Sequence, residues 1–133
     1  MTLRRINPPE LAPPTGFSHA VTATGGTLVF LAGQTALDAG GAVVAAGDVV
    51  AQFDRALANL LAALAAAGGG PEHLARMTVY ATDPEDYRSR AAEIGRVWRD
   101  RAGRDYPAMA LVGVVRLWDT EALVELEGIA VLP

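Results

Sequence analysis

YPAMALVGVVRLWDTEALVELEGIA, from Tyr106 to Ala130, reads as two β-strands joined by a short polar connection. The first run, Met109 to Leu117, is almost wholly apolar and rich in β-branched residues, the pattern of a strand covered on both faces. The second, Ala122 to Val131, alternates. Ala122, Val124, Leu126, Gly128 and Ala130 face one way, and Glu125 and Glu127 face the other. Two carboxylates on one face of a hydrophobic strand are costly if buried unpaired, so they must meet water, a donor or a ligand. A surface position on an edge strand meets that requirement without any function; a ligand site meets it equally well.

Outward from this stretch, turn and breaker residues divide the remaining chain. Leu3 to Ile6 is a short strand ended by Asn7-Pro8-Pro9. His19–Ala23 and Leu28–Thr35 are strands around Thr24-Gly25-Gly26, a turn of the hairpin type. Gly33, inside an otherwise good strand, marks a bulge or a close approach. Asp48 is an N-cap for a helix carrying Val50, Phe53, Leu57, Leu60, Leu61 and Leu64 at helical spacing, with Gln52, Arg55 and Asn59 off the stripe. Gly68-Gly69-Gly70-Pro71 stops it, and Leu74–Ala81 is the next strand. Asp83-Pro84 starts a second helix whose inner side holds Tyr87, Ala91, Ile94, Val97 and Trp98, and whose many charges form a solvated face. The order β-β-β-α-β-α-β-β predicts an α+β domain spanning residues 1–133 with two helices packed on one face of a sheet. The strands are apolar on their second face as well, which points to self-association through the sheet.

Composition narrows the function classes. The chain has 133 residues, 51% of them hydrophobic, enough for one domain with a real core. A net charge of −4 offers no electrostatic footprint for nucleic acid or an anionic membrane. Cysteine is absent, which excludes disulfides and thiol catalysis and fits a reducing compartment. The first residues, MTLRRINPPELAPP, lack the apolar core of a signal peptide, and the alanine-rich run 56–67 is shorter than a membrane span. The expectation is a cytoplasmic protein. His19 and His73 are too far apart in sequence to suggest a metal site, and the triple glycine lacks the lysine and hydroxyl of a phosphate loop, so neither metal nor cofactor is expected. Neither Ser18 nor Ser89 lies in a nucleophile elbow. Trp98 belongs to the core of its helix, and Trp118, in a loop beside Asp119, lines a pocket or a rim.

Several short signals then fall in one order: Asn7-Pro8-Pro9, Gly16-Phe17-Ser18-His19, Ala32-Gly33-Gln34, Gln52, Ala58-Asn59-Leu60, Thr78-Val79-Tyr80, Asp83, Tyr106-Pro107-Ala108, and Val124-Glu125-Leu126-Glu127. The set resembles the RidA/YjgF family, also called the endoribonuclease L-PSP family, over essentially the whole chain. That resemblance implies a chorismate-mutase-like (bacillus-type) α+β fold. It also implies a homotrimer with a central barrel-like core and a small-molecule ligand in each inter-subunit cleft. Members hydrolyse reactive enamines and imines, with an arginine of a Pro-Ala-Arg motif clamping the substrate carboxylate and a glutamate of the last strand directing water. By resemblance, Glu125 is the catalytic carboxylate, and Phe17, Gly33, Gln34, Met109, Leu111, Arg116, Trp118 and Glu127 line the ligand site. The arginine itself is missing: Met109 stands in its place, and Phe17 replaces a tyrosine of the N-terminal loop. Arg116 is seven residues beyond Met109, an odd separation that puts it on the opposite face of a regular strand unless a bulge or a neighbouring subunit intervenes. The expected function is an imine or enamine hydrolase of altered specificity, with a non-catalytic metabolite-binding trimer as the alternative.

Overall fold

The computed structural model describes residues 2–133. Thr2–Ile6 (β1) and Ala20–Thr24 (β2) form an antiparallel ribbon. A four-stranded sheet contains Thr27–Gln34 (β3), Leu74–Ala81 (β4), Ala108–Gly113 (β5) and Val124–Leu132 (β6), in the order β3-β6-β4-β5. β6 runs antiparallel to both neighbours, and β4 and β5 are parallel. A parallel pair needs a crossover, supplied here by two helices, Pro84–Ser89 (α2) and Ala91–Ala102 (α3). The long helix Val49–Ala66 (α1) connects β3 to β4 through a 3-10 turn at Pro71–His73. This is the α+β arrangement expected, with helices on one face of a mixed sheet.

The packing follows from the alternation of β6. Val124, Leu126 and Ala130 lie in the core with Met77 and Val79 of β4, and α1 covers them with Phe53, Leu57, Leu60 and Leu64. Each fully buried leucine here contributes about 1.5–3 kcal/mol. α3 adds Ile94 and Trp98 to the same layer, and Arg101 pairs with Asp54 to join the two helices at the surface. α1 is eighteen residues long and apolar enough to match a membrane span by length, yet its stripe is packed against the sheet, which marks it as a core helix. Asp48 caps it, its side chain accepting from the backbone N–H groups of Val50 and Ala51 at 3.1 Å.

The structure changes five local expectations. β6 is an interior strand, so an edge position does not account for Glu125 and Glu127. β5 ends at Gly113 rather than Leu117, because its single partner, β4, ends at Ala81, the residue paired with Gly113. As the sheet's edge strand, β5 is also not covered on both faces: Leu111 and Val112 are exposed. The glycine turn between β2 and β3, with Gly25 and Gly26 at φ of +70° and +88°, makes no hairpin. β2 pairs with β1, and β3 with β6. The second helix is broken at Arg90, after Ser89 turns its hydroxyl back to donate to the Asp86 carbonyl at 2.8 Å.

Gln52 also departs from its expected place on the surface of α1. It is 0% exposed. Its amide donates to the carbonyls of Glu121 (3.0 Å) and Ala45 (3.3 Å), and its oxygen accepts from the Leu123 N–H at 2.8 Å. Asn59, one face over, donates to the carbonyls of Leu37 (2.9 Å) and Thr35 (3.2 Å). These two amides peg the segment after β3 and the segment before β6 onto α1, and Gln52 fixes the entry into β6. Gln52→Leu removes all three of these backbone hydrogen bonds at a fully buried side chain, so a loss of about 2–3 kcal/mol is expected by urea denaturation. A change below about 0.5 kcal/mol would contradict this role.

Candidate functional site

Glu125 faces away from the helices, since its neighbours Val124 and Leu126 are in the core. Directly across from it on β4 is Tyr80, and Glu127 is across from Thr78. The Tyr80 hydroxyl donates to the Glu127 carboxylate at 2.6 Å, and this bond raises the Tyr80 pKa above its usual value. Glu127 is thereby tied to the sheet, while Glu125 is left free.

What holds Glu125 in place is the absence of a side chain at Gly33. The β3–β6 register shifts between Leu31 and Gln34, so Gly33 lies in an irregularity of the ladder. A Cβ built on Gly33 would overlap the Glu125 Oε1 and stand 2.9 Å from its carboxyl carbon. Both expectations for this glycine, a bulge and a close approach, are met at one residue. Burial in this notch pushes the Glu125 carboxyl above the usual carboxylate range, and the charges of Glu127 and Asp119 push it the same way. The structure thus presents a carboxylate that takes a proton more readily than usual, set over open backbone.

The other sequence-derived residues divide between two places. Gln34 follows Gly33 at the end of β3, its amide 3.4 Å from the Ala32 carbonyl. Asp119, whose charge reaches Glu125, lies in the loop after β5 that also holds Arg116 and Trp118. Arg116 is not on a strand, so counting faces along the chain from Met109 does not apply to it. Its guanidinium donates to the carbonyls of Leu117 and Trp118, both at 3.2 Å. Trp118 is 90% exposed on this loop.

Met109 is elsewhere. It pairs with the buried Met77, so it points to the helix side of the sheet, opposite Glu125. It lines a cleft of about 480 Å³ between α3 and the N-terminal loop, with Gly16, Tyr87, Trp98 and Tyr106. That loop is pinned to the start of β5: the Ser18 N–H donates to the Pro107 carbonyl at 2.9 Å, and its hydroxyl to the Tyr106 carbonyl at 2.7 Å. Phe17, edge-on to His19, precedes the Ser18 anchor, which bridges to Ala108. Leu111, two residues along the same side of β5, is exposed beyond the helices. In one protomer the structure therefore brings Gly33 to Glu125 and places Met109 on the other side of the sheet, with Phe17 outside the lining of the Met109 cleft.

Sequence reasoning missed a polar group on the open face. Arg76 and Thr78 of β4 line a second cleft of about 380 Å³ with Glu127 and Phe30. The alternation of β4 was the available signal, because Arg76, Thr78 and Tyr80 fall on one side of an otherwise buried strand. Around them Phe30 is 73% exposed, and Leu28 is largely exposed. Among the described residues, no group of three or more His, Asp or Glu is placed to hold a metal ion.

Comparison with known proteins gives one consistent result. A family model described as Endoribonuclease L-PSP matches residues 8–132. A RutC family protein of Synechocystis is 34% identical over the whole chain and 99% of its own length. The structure of YyfB from Yersinia pestis, of the conserved Rid protein family, superposes with a TM-score of 0.88 at 36% identity, covering 99% of this chain and 100% of that one. The structure of E. coli TdcF with bound serine superposes with a TM-score of 0.69 at 30% identity, over 96% and 94% of the two chains.

Two measurements test the Gly33–Glu125 contact. Gly33→Ala is expected to cost under about 1 kcal/mol of stability, because the Glu125 carboxyl can swing away, and that cost disappears in a Glu125→Ala background; additive effects would contradict the contact. The raised native pKa means that the folded chain holds the Glu125 proton more tightly than the unfolded chain does. Wild-type stability therefore falls as pH rises from the ordinary value of 4.5 through the native value. Glu125→Gln lacks that loss. At about pH 7 it is expected to be the more stable protein, by under about 1 kcal/mol because the group is partly solvated, and the two proteins converge in acid.

Proposed function

The chain belongs to the endoribonuclease L-PSP family, the group that includes the RutC, YjgF and Rid proteins, and from that premise we propose that it is a small-molecule imine or enamine hydrolase in which Glu125 directs the attacking water. The single observation that carries this reading is the Glu125 carboxyl itself. It is seated on bare backbone at Gly33, without a donor among the described residues, and its pKa is raised. A general base works best when its pKa approaches the operating pH, and desolvation by a neighbouring backbone is how a carboxylate is moved that way.

The ligand cleft in this proposal lies between protomers of a homotrimer. Met109 and Glu125 are on opposite faces of one sheet, so a cleft lined by both must join two chains. The exposed apolar groups of the open face, Leu28 and Phe30 among them, support assembly through that face. One protomer then offers Phe17 and Met109, and the next offers Gly33, Gln34, Glu125, and the loop with Arg116 and Trp118. TdcF holds serine, a small amino acid. In this chain a methionine offers no donor to a carboxylate on the reacting carbon, so the substrate class proposed is an imine or enamine whose α-position is not a carboxylate. The endoribonuclease activity in the family's description is not proposed, because a net charge of −4 gives no basic stripe for a phosphate backbone.

A second reading, a non-catalytic binding trimer, is favoured by one specific observation: Met109 lies among the apolar walls of its cleft, with Phe53, Ile94 and Trp98. Ammonia release separates the two. Uncharged imines are expected to be hydrolysed above the spontaneous rate, freshly generated 2-aminoacrylate more slowly, and Glu125→Gln to lower the rate by about 10²-fold. An assembled wild-type protein that accelerates none of these substrates would overturn catalysis in favour of simple binding.

A further inference from the structure

The cleft floored by Met109 is not without a cation. Arg96 and Arg99, from successive turns of α3, both line it. Arg99 is the better placed. A Cβ built on Gly95 would stand 3.3 Å from the Arg99 Nη1, so the guanidinium folds back along the helix over the space that glycine leaves. None of the ion pairs among the described residues engages Arg99; Arg101, the next arginine on, is paired with Asp54, and Arg90 with Glu93. The walls are aromatic and apolar, from Tyr87, Ile94, Trp98 and Tyr106, with Trp98 and Tyr106 stacked at 6.0 Å. The buried Nε1–H of Trp98 has no acceptor among the described residues, an unmet donor in a wall of the same cleft. A volume of about 480 Å³ suits a small organic molecule.

We propose that this cleft binds a monocarboxylate with an aromatic or apolar body, its carboxylate held at the mouth by Arg99, flanked by Arg96, and its body packed between Trp98, Tyr87 and Met109. The proposal deepens the functional reading above and rests on it for taking the cleft as part of the ligand site. It adds that the charge to be recognised is remote from the reacting carbon. The floor, at Met109, accepts an apolar group, and the anion is met one helix turn beyond Arg96. A planar guanidinium with no competing carboxylate grips such an anion in two parallel bonds, which ammonium groups and amides do not reproduce.

The test uses the full chain in its native assembly and two probes of nearly equal shape, phenylbutyrate and its uncharged amide, titrated calorimetrically. Phenylbutyrate is expected to bind about tenfold more tightly than the amide at low salt, and the difference shrinks as salt is added. Arg99→Gln, a change at an exposed position, is expected to remove that preference while leaving the amide's affinity unchanged. Both probes are expected to shift the Trp98 indole N–H resonance, which locates them in the cleft. Equal affinity for the two probes, failure of both to bind, a preference that survives in Arg99→Gln, or an unmoved Trp98 resonance would each overturn the proposal. The readout is equilibrium binding. A protein without ammonia release leaves this result standing, and a lost preference leaves the chemistry assigned to Glu125 standing.

Discussion

A carboxylate set against bare backbone, with no donor among the described residues, is the feature on which the candidate site turns. Desolvation of a charge is expensive, and folded proteins generally avoid it by pairing or by protonation. Here the two carboxylates of β6 are treated differently. Glu127 receives the Tyr80 hydroxyl, and Glu125 receives only the notch at Gly33. The sheet makes the difference possible. β6 is anchored on both edges by antiparallel ladders and on its inner face by α1, so a local cost at Glu125 is borne by a strand with no freedom to shift. Gln52 completes the anchoring by fixing the chain immediately before the strand begins.

The fold was legible in the sequence wherever a pattern had one solution. The alternation of Val124 to Ala130, the stripe from Phe53 to Leu64, and the Asp48 and Asp83-Pro84 starts all correspond to observed elements. What was hidden depends on partners rather than on pattern. The run Met109–Leu117 is uniformly apolar, so nothing in it shows that its ladder stops where β4 stops. The Gly25-Gly26 turn has hairpin chemistry, yet the strands it joins pair elsewhere, β2 with β1 and β3 with β6. Gln52 is polar in a position adjacent to the stripe, and only the loops it binds reveal that it is interior.

The candidate site was legible in part for the same reason. Gly33 and Glu125 stand more than ninety residues apart in sequence, and a glycine in a strand announced a close approach without naming what approaches. Met109 was identified as the residue at a position of interest, but its side of the sheet is set by register with Met77, which no single segment encodes. Arg76 and Arg99 were passed over because charged residues on a strand's outer face or on a helix are ordinarily solvated. Their significance comes from the clefts they line.

The placement of Met109 and Glu125 on opposite faces of one sheet has an energetic consequence for the site proposed above. Within a protomer the sheet itself lies between them, so a substitution in the apolar cleft leaves the solvation of the carboxylate unaltered. The two halves couple only through a bound molecule or across a subunit junction. If the proposed site holds, the preference assigned to Met109 and the arginines of α3 is separable from the acidity of Glu125, which burial raises together with the charges of Glu127 and Asp119. On the proposed reading, loss of a clamp at Met109 moves the position at which an anion is recognised and leaves the carboxyl at Glu125 in place, which is a change of specificity and not the loss of a site.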